Sequence, residues 1–99
     1  MFYVYRVEDD TGYGPYRGNV PPWETRSHRH LPLPDEEGLP IGSNILSGFI
    51  SMKQLLRWFT KRELQNLAEL GFRPRRVLAR RVWKGKRQAT FIRYGNHKR

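Results

Sequence analysis

Six of the seven prolines in this 99-residue chain, Pro15, Pro21, Pro22, Pro32, Pro34 and Pro40, fall between Thr11 and Asn44. Each fixes φ, removes a backbone donor and biases the preceding residue towards extended conformations. Gly12, Gly14, Gly18, Gly38 and Gly42 are interspersed among them, so neither regular helix nor a central strand is expected there. A long loop over residues 11–44 therefore confines regular structure to the first ten residues and the second half of the chain. Loops of this length are either surface connections or functional segments. Tyr13, Tyr16, Trp23 and Leu31 would anchor a connection; a binding loop fits the same residues, and both readings stay open.

Residues 2–7 are β-branched and aromatic and run into the turn-rich Glu8-Asp9-Asp10-Thr11-Gly12, which predicts a strand. Phe2, Val4 and Arg6 share one face and Tyr3, Tyr5 and Val7 the other. Bulk on both faces predicts a position inside a sheet rather than at its edge. A second short strand is expected over residues 45–50, interrupted at Ser47-Gly48.

Two helices follow. Ser51-Met52-Lys53-Gln54 has the form of a capping box, with Met52, Leu55, Leu56 and Phe59 at i, i+3, i+4 and i+7 as its apolar stripe. Thr60-Lys61-Arg62-Glu63 repeats the box at once; Leu64, Leu67, Ala68 and Leu70 form the next stripe, and Gly71 suits the position that closes the helix. Beyond Phe72-Arg73-Pro74 the pattern is a β-hairpin, with arms over 75–83 and 87–94 and Lys84-Gly85-Lys86 at the turn. The order predicts a single α+β domain over residues 1–99: a small, mainly antiparallel sheet with two short helices on one face and a long Pro/Gly-rich loop.

Charge is divided as unevenly as proline. The chain holds 19 Lys and Arg against 9 Asp and Glu, a net +10. Residues 1–50 carry four basic and seven acidic side chains, a net of −3, whereas residues 51–99 carry fifteen basic ones and only Glu63 and Glu69, a net of +13. The excess marks either a basic binding face or pairing between the halves. The candidate partner- or nucleic-acid-binding residues are Arg73, Arg75, Arg76, Arg80, Arg81, Trp83, Lys84, Lys86, Arg87 and Arg93, interleaved with Phe72, Phe91 and Tyr94. Cations contact phosphates and exposed aromatics stack on unpaired bases. In a regular hairpin Arg76, Arg80 and Val82 lie on one face and Arg75, Arg81 and Trp83 on the other. An edge hairpin that uses arginine for solubility would read the same way.

Other chemistries find little support. There is no cysteine, hence no disulfide, thiol nucleophile or thiolate metal site. His28 and His30 near Asp35, Glu36 and Glu37 lack a fixed third ligand, and two histidines at i, i+2 in extended chain point apart. No metal or cofactor is expected. The junction between the helices is too short for a DNA-reading helix-turn-helix, and Glu69 would face phosphate. No nucleophile elbow or phosphate-cradling glycine loop occurs, so a non-enzymatic role is expected. The N-terminus lacks the apolar stretch of a secretory signal, and no apolar run approaches a membrane span. The expectation is a soluble protein of the cytoplasm, with no membrane partner.

Several segments, in order, resemble a group of small accessory proteins carried by tailed bacteriophages and prophages: Tyr5-Arg6-Val7-Glu8, Gly12-Tyr13-Gly14-Pro15-Tyr16-Arg17, Gly48-Phe49-Ile50-Ser51, Gln54-Leu55-Leu56-Arg57-Trp58-Phe59 and Leu70-Gly71-Phe72. The resemblance covers about two thirds of the chain and leaves out the very basic end. It implies a phage origin, with the bacterial host cell as the compartment, and carries no activity of its own. Short phage proteins of this size act by binding a host factor or a defence complex, anti-CRISPR proteins among them. The expected function is accordingly inhibition of a host or defence component, an anti-CRISPR action on a nucleoprotein complex included, through the basic surface; its partner is an acidic protein face or nucleic acid. The alternative is a plain DNA- or RNA-binding accessory protein. A remoter similarity, to ADP-ribosyltransferase folds, maps Arg6 and Ser51 to dinucleotide contacts. No Ser-Thr-Ser follows, however, and no carboxylate remains after Gln88 to act as the catalytic acid.

Overall fold

A computed structural model describes residues 2–15 and 33–95 of the protein. In chain order these form β1 (Phe2–Glu8), a short 3-10 helix (Pro34–Glu37), β2 (Leu46–Gly48), α1 (Met52–Trp58), α2 (Lys61–Glu69), β3 (Arg73–Lys84) and β4 (Ala89–Arg93). The fold is α+β, with one antiparallel sheet in the order β1-β3-β4-β2.

The position of β1 departs from the sequence expectation. It ends the strand order instead of lying within it, yet its outer edge is not empty. Tyr5 N–H donates to the Phe49 carbonyl at 2.8 Å and Phe49 N–H returns to the Tyr5 carbonyl at 2.7 Å, one residue beyond β2. The two ends of a four-stranded sheet meet in this way only if the sheet curls. Bulk on both faces of β1 is explained by burial on both: Val4 lies in one cluster and Val7 in another.

Those clusters divide the core. On the helix-bearing face Val7, Phe49, Leu55, Trp58, Phe59, Leu67 and Phe72 pack together, with Tyr5 and Leu64 against them. The Phe49 ring meets Trp58 at 5.5 Å and Phe59 at 6.1 Å between centroids, both tilted, the geometry aromatic pairs prefer. The opposite face gathers Val4, Val77, Ala79 and Phe91, joined by Leu46 and Val82. Leu55 and Leu67 are fully buried, and each such side chain contributes about 1.5–3 kcal/mol.

Local signals place the helices well. Ser51 Oγ accepts from Gln54 N–H, although Gln54 Oε1 reaches back to Ile50 N–H rather than to Ser51. Thr60 and Glu63 form the full reciprocal box. At the end of α2, Gly71 takes φ +94°; its N–H donates to Ala68 and that of Phe72 to Leu67, the double C-terminal closure that a left-handed residue permits. The apolar stripes are rotated from the expected ones. Met52, Leu56 and Leu70 are exposed, and α1 buries Leu55 and Trp58, with Phe59 following them.

Much of the expected loop, residues 16–32, lies outside the described residues, and with it Tyr16, Trp23, Leu31, His28 and His30. Within the described part a helical turn forms at Pro34–Glu37, where helix was not expected. Pro34 takes the first helical position, whose N–H has no intrahelical partner in any case. No described helix is long and apolar enough to cross a membrane.

Candidate functional site

The geometry of the basic segment turns on one residue. Along β3, Ala79 stands opposite Arg93 but Arg81 stands opposite Ile92, so Arg80 is an extra residue, a β-bulge. A bulge resets the alternation of a strand. Val77 and Ala79 point into the core before it and Val82 after it. Residues 76 and 83, which strict alternation separates, thereby share the other face. The expected split of Arg76, Arg80 and Val82 from Arg81 and Trp83 is corrected accordingly.

On this outer face the cations sit over rings. Arg76 Cζ lies 4.2 Å from the centroid of Tyr3, reached across the β1–β3 pairing in which Tyr3 opposes Leu78. Arg81 Cζ lies 4.8 Å from the centroid of Trp83. At exposed positions each such contact is worth about 0.5–1 kcal/mol, which holds the side chains over the sheet. Leu78 and Ile92, both half-buried, are the cross-strand neighbours of Tyr3 and Arg81. Arg76, Arg80, Arg81 and Lys84 are exposed, and among the described residues none of them has a carboxylate partner.

The carboxylates are used elsewhere. Glu8 Oε1, almost wholly buried, accepts from Arg6 Nε at 3.0 Å and from Arg93 Nη2 at 2.8 Å. Arg6 Nη1 donates to the Ser47 carbonyl at 2.7 Å. Burial lowers the pKa of Arg6, while the Glu8 charge opposes that shift. Arg75 pairs with Asp10. Asp9 accepts from the N–H and hydroxyl of Thr11 and from Tyr13 N–H. Glu37 accepts from Arg87 N–H at 2.9 Å and Gln88 Nε2 at 3.3 Å, fixing the hairpin turn.

The ten candidate residues thus divide. Arg76, Arg80, Arg81 and Trp83 form one patch on the outer face, with Lys84 at its end. Arg73 is exposed at the start of β3, and Lys86 and Arg87 occupy the pinned turn. Arg93 is drawn inside by Glu8, and Arg75 is tied to Asp10; neither belongs to the patch. Tyr3 escaped the sequence reading because its contact with Arg76 depends on a pairing some seventy residues away. The Arg6–Glu8 contact was legible, since residues two apart on a strand share a face. Arg6, assigned to a dinucleotide by the remoter resemblance, faces Glu8 and the Ser47 carbonyl. Among the described residues no three His, Cys, Asp or Glu side chains converge as metal ligands.

A family model described as Bacteriophage T4 Y00F protein matches residues 1–98, the basic end included. No curated protein and no solved structure matches the chain.

Proposed function

The chain belongs to the Bacteriophage T4 Y00F protein family, and from that premise we propose that it is a non-catalytic phage accessory protein that inhibits a host or defence component by binding it. The surface is the outer sheet face of Arg76, Arg80, Arg81, Trp83 and Tyr3. The observation that carries this reading is the absence of any described carboxylate partner for three clustered arginines in a fold that pairs Arg6, Arg75 and Arg93 internally. Unneutralised charge on a formed surface attracts an anionic partner. A nucleoprotein complex of a defence system, as in anti-CRISPR action, offers such a partner.

The test is a plaquing assay on hosts carrying defined defence systems, with phage that encode the wild type, no protein, or the Arg76→Glu, Arg80→Glu, Arg81→Glu triple variant. Wild type restores plaquing on at least one defended host and the triple variant does not. Equal plaquing with and without the gene across a broad panel sinks the inhibitory role. A plain nucleic-acid-binding role is the second reading, favoured by the rings beneath two of the cations. Capture from infected cells with and without nuclease separates the two: a protein partner survives nuclease, a nucleic-acid bridge does not.

A further inference from the structure

We propose that the outer face of β1 and β3 is a stacking platform for single-stranded nucleic acid, a proposal that rests on the binding reading above. An acidic protein surface asks only for charge. Here each of two guanidinium groups lies over an aromatic ring, and the half-buried Leu78 and Ile92 adjoin them. Unpaired bases stack on aromatic rings and on guanidinium planes, and their faces accept an apolar floor. Arg80 and Lys84, exposed and without carboxylate partners, flank this strip as phosphate contacts.

Spacing and rigidity agree with that occupant. Arg76 and Arg81 are five residues apart on β3, roughly 13–17 Å at strand rise, a span of a few nucleotides. A duplex would be read by a ribbon inserted in the major groove, and the ribbon tip is not free to do so. Glu37 holds Arg87 N–H and Gln88 Nε2, and Gln54 Nε2 reaches the Lys86 carbonyl at 3.5 Å. The tip is fastened to the body, and the open sheet face is what remains.

Fluorescence anisotropy of labelled oligonucleotides of about 12 nucleotides, within the range one small sheet face occupies, tests this on the full chain. The arms are single-stranded DNA, single-stranded RNA and the matched duplex. One or both single strands should bind at least roughly tenfold tighter than duplex. The log of their binding constant should fall with log salt at a slope of about −2 to −3, as expected for three or four phosphate contacts. Tyr3→Ala and Trp83→Ala should each weaken binding about tenfold, equivalent to one stacked base, and leave the slope unchanged. Arg80→Ala should reduce the slope by about 0.7. Tyr3 is more than half exposed, so its variant keeps the test sound if Trp83→Ala fails to fold. Duplex bound as tightly as single strands, a neutral Tyr3→Ala, or no binding at low salt would each overturn the platform. Should oligonucleotides fail to bind while the triple charge reversal still abolishes nuclease-resistant capture of a host protein, the platform falls and the inhibitory reading stands.

Discussion

Glu8 is one carboxylate holding two guanidinium groups in a nearly dry site, and Arg93 Nε beside it is buried without a partner. Removing a single partner from such a cluster leaves charge buried and uncompensated. Glu8→Ala should therefore destabilise the fold by about 3–5 kcal/mol, measured by urea unfolding. Thr90 presents the opposite case: its hydroxyl is buried with no hydrogen-bond partner. Thr90→Val removes an unsatisfied group at nearly constant shape, so stability should be unchanged or higher by about 1 kcal/mol. Asp9 gives an acid signature. Burial raises its pKa, but the hydrogen bonds from Tyr13 and Thr11 prevail and hold it below the usual aspartate value. A depressed carboxylate contributes stability that is complete above the unfolded pKa near 3.9 and fades as pH falls through the folded value. Asp9→Asn should accordingly flatten the loss of melting temperature between about pH 5 and pH 2.

Among the elements, closure of the sheet depends on close approach at Gly48. A Cβ there would stand 2.9 Å from the Tyr5 carbonyl and 3.1 Å from the Phe91 ring. Both neighbours are fixed, one by the bridge to Phe49 and the other in the core. Gly48→Ala should cost about 1–3 kcal/mol and raise amide exchange at Tyr5 and Phe49 ahead of the rest of the sheet. The helix ends and the hairpin were legible because Ser51, Thr60 and Gly71 act through their own backbone neighbours. The buried stripe of α1 was not. Spacing i, i+3, i+4 fits Met52-Leu55-Leu56 and Leu55-Trp58-Phe59 equally, and the choice rests on Phe49, which stacks on Trp58 and Phe59 from another element. The Arg80 bulge also leaves no local mark, since an arginine is unremarkable in an exposed strand; only the partner strand shows that one residue is surplus.

For the molecule as a whole, the +13 of the second half has two fates. Part is neutralised across the fold by Glu8 and Asp10, and part remains on the outer face. Neutralising Arg76, Arg80 and Arg81 together with Ser should leave stability nearly unaltered, each exposed site counting for about 0.5 kcal/mol or less, while sharply lowering the salt needed to elute the protein from heparin. Arg6→Ser should do the reverse, lowering the melting temperature with little change in elution. Summed charge could not distinguish these groups, because the pairing of a side chain is a property of the sheet.

The pairing of Phe2 with Ala79 also sets a timetable. The first strand to leave the ribosome finds its neighbour only when nearly the whole chain has been made, several seconds later at about 5–20 residues per second. Until then Phe2, Tyr3, Val4 and Tyr5 form a nascent aromatic segment with nothing to cover it. Long-range pairings of this kind fold slowly, so the protein completes its fold after release, and translation that stops short of β4 yields a product for the host's proteases.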